Sequence, residues 1–275
     1  MTRFIADSSC DILSIEGVDF QSVPLVISTD KHNFTDDNNL DIHNMLDILA
    51  SHKGRSYTAC PGIDAWLNSF NGADEIFVVT ITSGMSGTYN SAMNAVQMYL
   101  DKNPETKIKV IDSKSTGPSM KLILEKLVEL YKNGLDFEGI CEAIDKYTES
   151  LHLFCSLMSL HNLAQNGRIN KLVASAAEVL NISIVGTASN KGILEPIAKC
   201  RGEKRLLSKF KDLLSEAGYN GKRLRICHVE NEALAEKLSK LVQQLYPEAD
   251  IAYYEAGGLC SYYAERGGLI FSFEV

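Results

Sequence analysis

At 275 residues the chain is long enough for one large domain or two ordinary ones sharing a cleft, and its 45% hydrophobic and 23% charged side chains suit a well-packed globular protein. A net charge of −8, from 35 acidic against 27 basic side chains, has the wrong sign for a generic binder of nucleic-acid phosphates. No run approaches the roughly 18 apolar residues of a membrane span, and MTRFIADSSC lacks the apolar core of a signal peptide, so the sequence predicts a cytoplasmic protein without an integral membrane segment.

Taken in chain order, RFIADSS (3–9) and VPLVIST (23–29) read as strands, and LDIHNMLDILASHKG as a helix with Ile42, Met45, Leu46 and Leu49 on one face. RSYTACPG is a brief extended piece, and DAWLNSFNG a short helix closed by Asn71-Gly72. EIFVVTIT (75–82) is apolar on both faces, as a central parallel strand is. From Ser86 a helix follows, with Tyr89, Ala92, Met93, Val96 and Leu100 forming its stripe. KIKVIDSKS (107–115) reads as a second central strand. A helix from about Ser119 to Lys132 and another in DFEGICEAIDKYTESL complete an open, mostly parallel sheet with helices on both faces.

Beyond about residue 150 the pattern changes. LHLFCSLMSL, ILEPIAKC, RLRICHVE, DIAYYEAG and GLIFSFEV predict five strands, with amphipathic helices at about 203–217 and 231–246. Few of these strands run straight into a crossover helix, which predicts a mixed sheet. The expected organisation is therefore two α/β domains, 1–149 and 150–275, with the ligand cleft between them.

Seven scattered cysteines without a CxxC pair predict reduced thiols, and six histidines without HxxxH or HxH spacing give no reason to assign a metal. The basic stretch from Lys199 to Lys211 reads as a solvated helix face.

Chemistry concentrates in loops. Asp7-Ser8-Ser9, the 82–88 loop TSGMSGT and Asp112-Ser113-Lys114-Ser115-Thr116-Gly117 leave strand ends rich in small hydroxyls, and Tyr57-Thr58-Ala59-Cys60-Pro61 adds a fourth such segment. Any one of them reads equally as a helix N-cap. The 82–88 loop has no lysine for a phosphate loop and no GxGxxG. Its Gly84-Met85-Ser86 opens a nucleophile elbow, but Thr88 stands where the last glycine belongs, and none of His152, His161 and His228 sits in a loop that suits a catalytic base. What remains is a helix start with free N–H groups and hydroxyls, which suits one negative charge, and a carboxylate better than a phosphate chain.

The stretch ITSGMSGTYNSA resembles the I-S-S-x-L-S-G-T-Y-x-S-A signature of the DegV family, bacterial proteins that bind a fatty acid. Further similarities follow in order: Asp7-Ser8-Ser9, Val23-Pro24-Leu25, Asp36, Thr58-Ala59-Cys60-Pro61 for T-S-Q-P, Val110-Ile111-Asp112-Ser113 for V-x-D-S, Asn166-Gly167-Arg168-Ile169 for G-G-R-I, and Lys199-Cys200-Arg201-Gly202 for K-x-R-G. The resemblance implies a two-domain binder whose acyl chain lies in an apolar tunnel between the domains. It also implies a separate ATP-dependent kinase partner to which the carboxylate is presented, and no cofactor.

Carried over residue by residue, the resemblance places Thr58 and Ser86 on the carboxylate, with the Gly87 N–H and Ser83 nearby. Arg201 belongs either to a rim used in handing over the head group or to a surface salt bridge, and Arg168 is expected in a structural ion pair. The family's C-terminal H-T-G-P-G is absent. Aligning the glycines puts Tyr263 at the histidine position, with Arg266 as the alternative source of positive charge and ring packing as the alternative role of Tyr262 or Tyr263.

Burying an acyl chain gains about 0.8 kcal/mol per methylene, roughly 10 kcal/mol gross for fourteen or so, and neutral donors on a helix end reduce the cost of burying its carboxylate. Two other readings stand beside the lipid binder: a serine-dependent acyl hydrolase or transferase using Ser86, and a regulatory binder of another small carboxylate.

Overall fold

The computed structural model describes residues 1–170 and 182–275. Strands β1 (Thr2–Asp7), β2 (Asp19–Val23), β6 (Glu75–Thr80) and β7 (Lys107–Asp112) form an all-parallel sheet in the order β2-β1-β6-β7. Side chains alternate across it, as strand geometry requires. Ile5, Ile76 and Val78 pack with Trp66 and Phe70 of α2 (Ile63–Phe70) and with Ala92 and Val96 of α3 (Thr88–Leu100). Phe4, Phe77 and Val79 belong to the opposite core, with α4 (Pro118–Lys132) and α5 (Phe137–Glu149).

Several details differ from the sequence reading. Residues 23–29 are not one strand, since Val23 ends β2 and the next strand starts at Val26 in a separate sheet. Strand β7 is an edge strand, not a central one. Its Lys107 and Lys109 reach Glu138 and Asp145 of α5 at 2.8 and 2.7 Å, and outward lysines are what an open sheet edge tolerates. Helix α3 begins at Thr88, and its buried stripe is Ala92, Ala95, Val96 and Tyr99, leaving Met93 exposed.

A small antiparallel sheet, β4 (Asn33–Thr35), β3 (Val26–Ser28) and β5 (Tyr57–Ala59), stands beside the parallel one, with α1 (Ile42–Ser51) in the connection between β4 and β5. The second half holds six strands in the order β10-β9-β8-β13-β11-β12: β8 (Leu151–Leu157), β9 (Ile182–Ala188), β10 (Leu194–Arg201), β11 (Leu224–His228), β12 (Ile251–Glu255) and β13 (Leu269–Glu274). All pairings are antiparallel except β11 with β12, the mixed sheet that the sequence predicts. The sixth strand, β9, has no counterpart in the sequence reading. Its Gly186 interrupts the β-favouring run, and a Cβ there would stand 2.8 Å from Leu194 and 3.1 Å from the Cys155 sulfur, so close strand packing explains the glycine.

One face of the six-stranded sheet is covered by α7 (Glu203–Glu216) and α8 (Glu232–Leu245), over a core of Phe154, Phe210, Phe271 and Phe273. The other face meets α4, which packs against β13, β11 and β8 as well as β6. Nine of the fifteen residues of α4 are buried, so one helix serves both sheets. Two short helices, α6 (His161–Gln165) and α9 (Gly258–Ala264), lie outside the sequence reading because they are too short to show a period.

Arg225 on β11 joins the halves electrostatically. Its Nε donates to both Glu125 oxygens on α4 at 2.9 and 3.0 Å, and its Nη2 donates to Asp250 at 2.9 Å. Replacing it by alanine removes these bonds and leaves two acids facing each other. The Arg225→Ala variant is expected to lose about 2 kcal/mol in urea unfolding, within the range for hydrogen bonds between charged groups that keep some solvent. A loss under about 0.5 kcal/mol would show that the Arg225 bonds do not hold α4 in place.

Candidate functional site

After β6 the chain turns through residues 81–87 into α3, and this turn is fixed from below. The Asp7 carboxylate, fully buried at the end of β1, accepts from the Ile81 N–H at 2.6 Å and from the Ser9 N–H at 3.1 Å. Ser8 accepts from the Leu25 N–H at 3.0 Å. The Asp7-Ser8-Ser9 loop is thus a support for the serine loop and does not line the cavity described below.

The hydroxyls of the serine loop divide their work. Thr82 Oγ1 donates to the Gly192 carbonyl at 2.8 Å, tying the loop to the turn between β9 and β10. The contact is close enough to need glycine on both sides: a Cβ on Gly84 would stand 2.3 Å from the Lys191 carbonyl, and one on Gly192 would stand 1.9 Å from Thr82 Oγ1. Ser83 is exposed and turned away, its hydroxyl donating to Asp112 at 2.6 Å. Ser86 is half-buried and shares a 2.8 Å bond with the Thr88 hydroxyl.

Ser86 lines a cavity of about 850 Å³, its open side included. Leu153, Leu157, Leu194 and Ile270 from the mixed sheet, with Leu163 of α6 and Leu259 of α9, form much of its apolar wall. Thr58, on β5, lies in the wall with Tyr263, on α9, and the two hydroxyls are 2.7 Å apart. Burial pushes the Tyr263 phenol above its ordinary range, while the Thr58 bond and the Arg168 charge pull it back. Arg168 also lines the cavity; its Nε donates to the Met85 carbonyl at 3.2 Å, one residue before Ser86. It is the one charged side chain among the described residues of the wall.

The structure therefore brings together Thr58, Ser86 and Tyr263, and adds Arg168. The sequence reading notices Arg168 in its Asn-Gly-Arg-Ile motif but expects a structural ion pair, because nothing local reveals that it faces the serine loop across the fold. The other candidates lie elsewhere. Gly87 is exposed as the N-cap of α3, and Arg201 is exposed at the end of β10. Arg266 pairs with Asp47 and with Glu230 at 2.8 Å, outside the cavity wall. Tyr262 is fully buried, its hydroxyl 2.7 Å from that of Ser56 and accepting from Asn166 at 2.8 Å.

Fold and cavity define a two-domain α/β protein built around an apolar pocket with a polar cluster in its wall. The chain belongs to the DegV family: the model of that family, described as "uncharacterised protein, DegV family", matches residues 1–274. A DegV domain-containing protein of Streptococcus pneumoniae is 42% identical over 99% of both chains. A solved structure of a DegV family protein from Eubacterium eligens, loaded with heptadecanoic acid, superposes with a TM-score of 0.98 at 62% identity over 100% of both chains. The Fatty Acid Kinase (Fak) B3 protein of Streptococcus pneumoniae, solved loaded with linoleic acid, gives a TM-score of 0.98 at 41% identity over 100% of this chain and 99% of that one.

Near the cavity lie acids whose ionisation burial opposes. Desolvation raises Asp7 from 3.8 to about 6, against the hydrogen bonds from Ser9 and Ile81, and raises Asp11 from 3.8 to about 7, against the bond from the Gly257 N–H. Asp11 Oδ2 is closed off from solvent beside the Cys227 and Cys260 sulfurs. The folded chain keeps these protons to higher pH than the unfolded chain. The stability they contribute is therefore full below about pH 4 and is lost as pH rises through 6 to 7. Asp11→Asn is expected to shrink the stability difference between pH 5 and pH 8 by about 2 kcal/mol. Parallel pH curves for the variant and the parent protein would rule this out.

Proposed function

We propose that the protein binds one long-chain fatty acid in this cavity, with the carboxylate against Thr58, Ser86, Tyr263 and Arg168, and presents it to a separate ATP-dependent fatty acid kinase. The observation that carries the reading is the pairing of an apolar enclosure with one compact polar cluster, in which the Thr58 and Tyr263 hydroxyls already touch and Arg168 reaches the backbone next to Ser86. An acyl chain gains about 0.8 kcal/mol for each methylene it buries, and hydroxyl donors with one guanidinium offset the desolvation of the head group. The halves 1–149 and 150–275 are the two domains that enclose the chain. Support also comes from the relatives, solved with heptadecanoic and linoleic acid, one of them a fatty acid kinase component by name.

A binder presenting its ligand needs no catalytic base of its own. Ser86 Oγ bonds to the Thr88 hydroxyl and N–H, and no histidine or acid among the described residues bonds to it, which weighs against the acyl-transfer reading.

Native mass spectrometry of the protein purified from bacteria is expected to show the mass of one fatty acid per chain, released on denaturation. Protein that carries no lipid and takes none up from added fatty acid would remove the proposal. The chain alone should not turn over ATP. Steady turnover lost on changing the 82–88 loop would make it an enzyme instead. Ser86→Ala is expected to weaken binding by about 1 to 3 kcal/mol, the range for a hydrogen bond to a charged group, and Thr58→Val by less, with the fold intact. Displacement of a fluorescent fatty acid measures both, and unchanged affinity would take the residue out of the site.

A further inference from the structure

Tyr263 rides on α9, a helix of seven residues that is too short to hold its own position. Its placement comes from outside. Asp36, 5% exposed and just past β4, accepts from the Gly258 N–H at 2.8 Å with one carboxylate oxygen and from the Leu259 N–H at 3.0 Å with the other. Asp11 accepts from the Gly257 N–H at 2.9 Å. Both acids come so close that side chains are shut out: a Cβ on Gly258 would stand 2.5 Å from Asp36 Oδ1, and one on Gly257 would stand 2.8 Å from Asp11 Oδ1. The first N–H groups of a helix have no partner within it, and buried ones need an acceptor.

The small sheet closes the frame. Asp36 follows β4, whose partner β3 pairs with β5, and β5 carries Thr58. Tyr262 bonds to Ser56, just before β5, and Tyr263 bonds to Thr58 on it. The same three-stranded sheet therefore grips α9 at its N-terminus through Asp36 and along its length through the two tyrosines. Asp36 holds two adjacent backbone N–H groups at once, so it alone supplies two of these ties.

We infer that Asp36, seconded by Asp11, is a positioning residue for the head-group contact: it sets where α9 presents the Tyr263 hydroxyl, an inference that rests on the fatty-acid reading above. Asp36 touches no ligand in this account. Loss of its second acceptor oxygen lets α9 shift, and the Tyr263 hydroxyl then leaves the carboxylate while the apolar wall still receives the chain.

The test compares palmitic acid with hexadecanol, which offers a similar chain without the charge, in the parent protein, Asp36→Asn, Tyr263→Phe and the double variant. Asp36→Asn is expected to weaken palmitic acid by about 10-fold, one hydrogen bond to a charged group, and hexadecanol by no more than about twofold. In the Tyr263→Phe background the further loss should vanish, since both changes remove one contact. Equal weakening of both ligands, or full additivity with Tyr263→Phe, would overturn the positioning role. Gly258→Ala, which presses on Asp36 from the helix side, gives the same comparison if Asp36→Asn fails to fold. Should the parent protein bind neither ligand, the fatty-acid reading itself falls. Should it bind palmitic acid and the variants keep the same preference over hexadecanol, only the inference falls.

Discussion

The structure depends on one helix being buried on two sides. Helix α4 packs against the parallel sheet through β6 and against the mixed sheet through β13, β11 and β8, with most of its length out of solvent. Its apolar residues are buried between the two sheets while Lys121, Glu125, Lys126 and Glu129 stay partly exposed, so each sheet completes the burial that the other begins. The apolar core that contains α4 is accordingly continuous between the halves: Phe4 and Phe77 belong to the same cluster as Leu153 and Ile270. The cavity lies within that shared region. Its walls come from the small sheet, the serine loop, the mixed sheet and α9, and none of these encloses it alone.

Around the cavity the polar groups mostly satisfy one another. Ser115 donates to Ser119 and Ser119 to Ser272, both at 2.8 Å, and the chain ends on the His152 carbonyl, knitting α4 to β13 and β8. Thr82 and Ser83 are spent on Gly192 and Asp112. Buried polar groups need partners, and in this protein they find them mostly in each other. Thr58, Ser86, Tyr263 and Arg168 have protein partners too and also line the cavity wall, and they are those proposed to meet the ligand. The tyrosine brings a donor without a charge, and Arg168 rather than Arg266 supplies the positive group near it.

Alternation and periodicity revealed the buried parallel strands, most helices and the mixed character of the second sheet, because each rests on residues close in sequence. Strand β7 differs for a related reason: its apolar positions match a central strand, and the lysines that mark an edge find their acids only across space, on α5. The local signal of β9 is weak because Gly186 interrupts it while serving a contact with Leu194 and Cys155. The four hydroxyl-rich loops were legible as a group. Which of their side chains face inward was not, since Ser83 and Ser86 are three residues apart in one motif and differ only in what surrounds them.

What the sequence determined by itself was most of the longer elements, the family through its serine loop, and the absence of any phosphate-loop pattern, since local spacing encodes all three. Tertiary structure alone decided that Arg168 belongs in the cavity wall and Arg266 does not, and that Tyr263 faces Thr58. It alone placed Asp36 at the start of α9, 222 positions further along the chain. The physical reason is that a backbone N–H takes whichever acceptor the fold brings within about 3 Å, and a chain this long offers many acceptors of equal local merit.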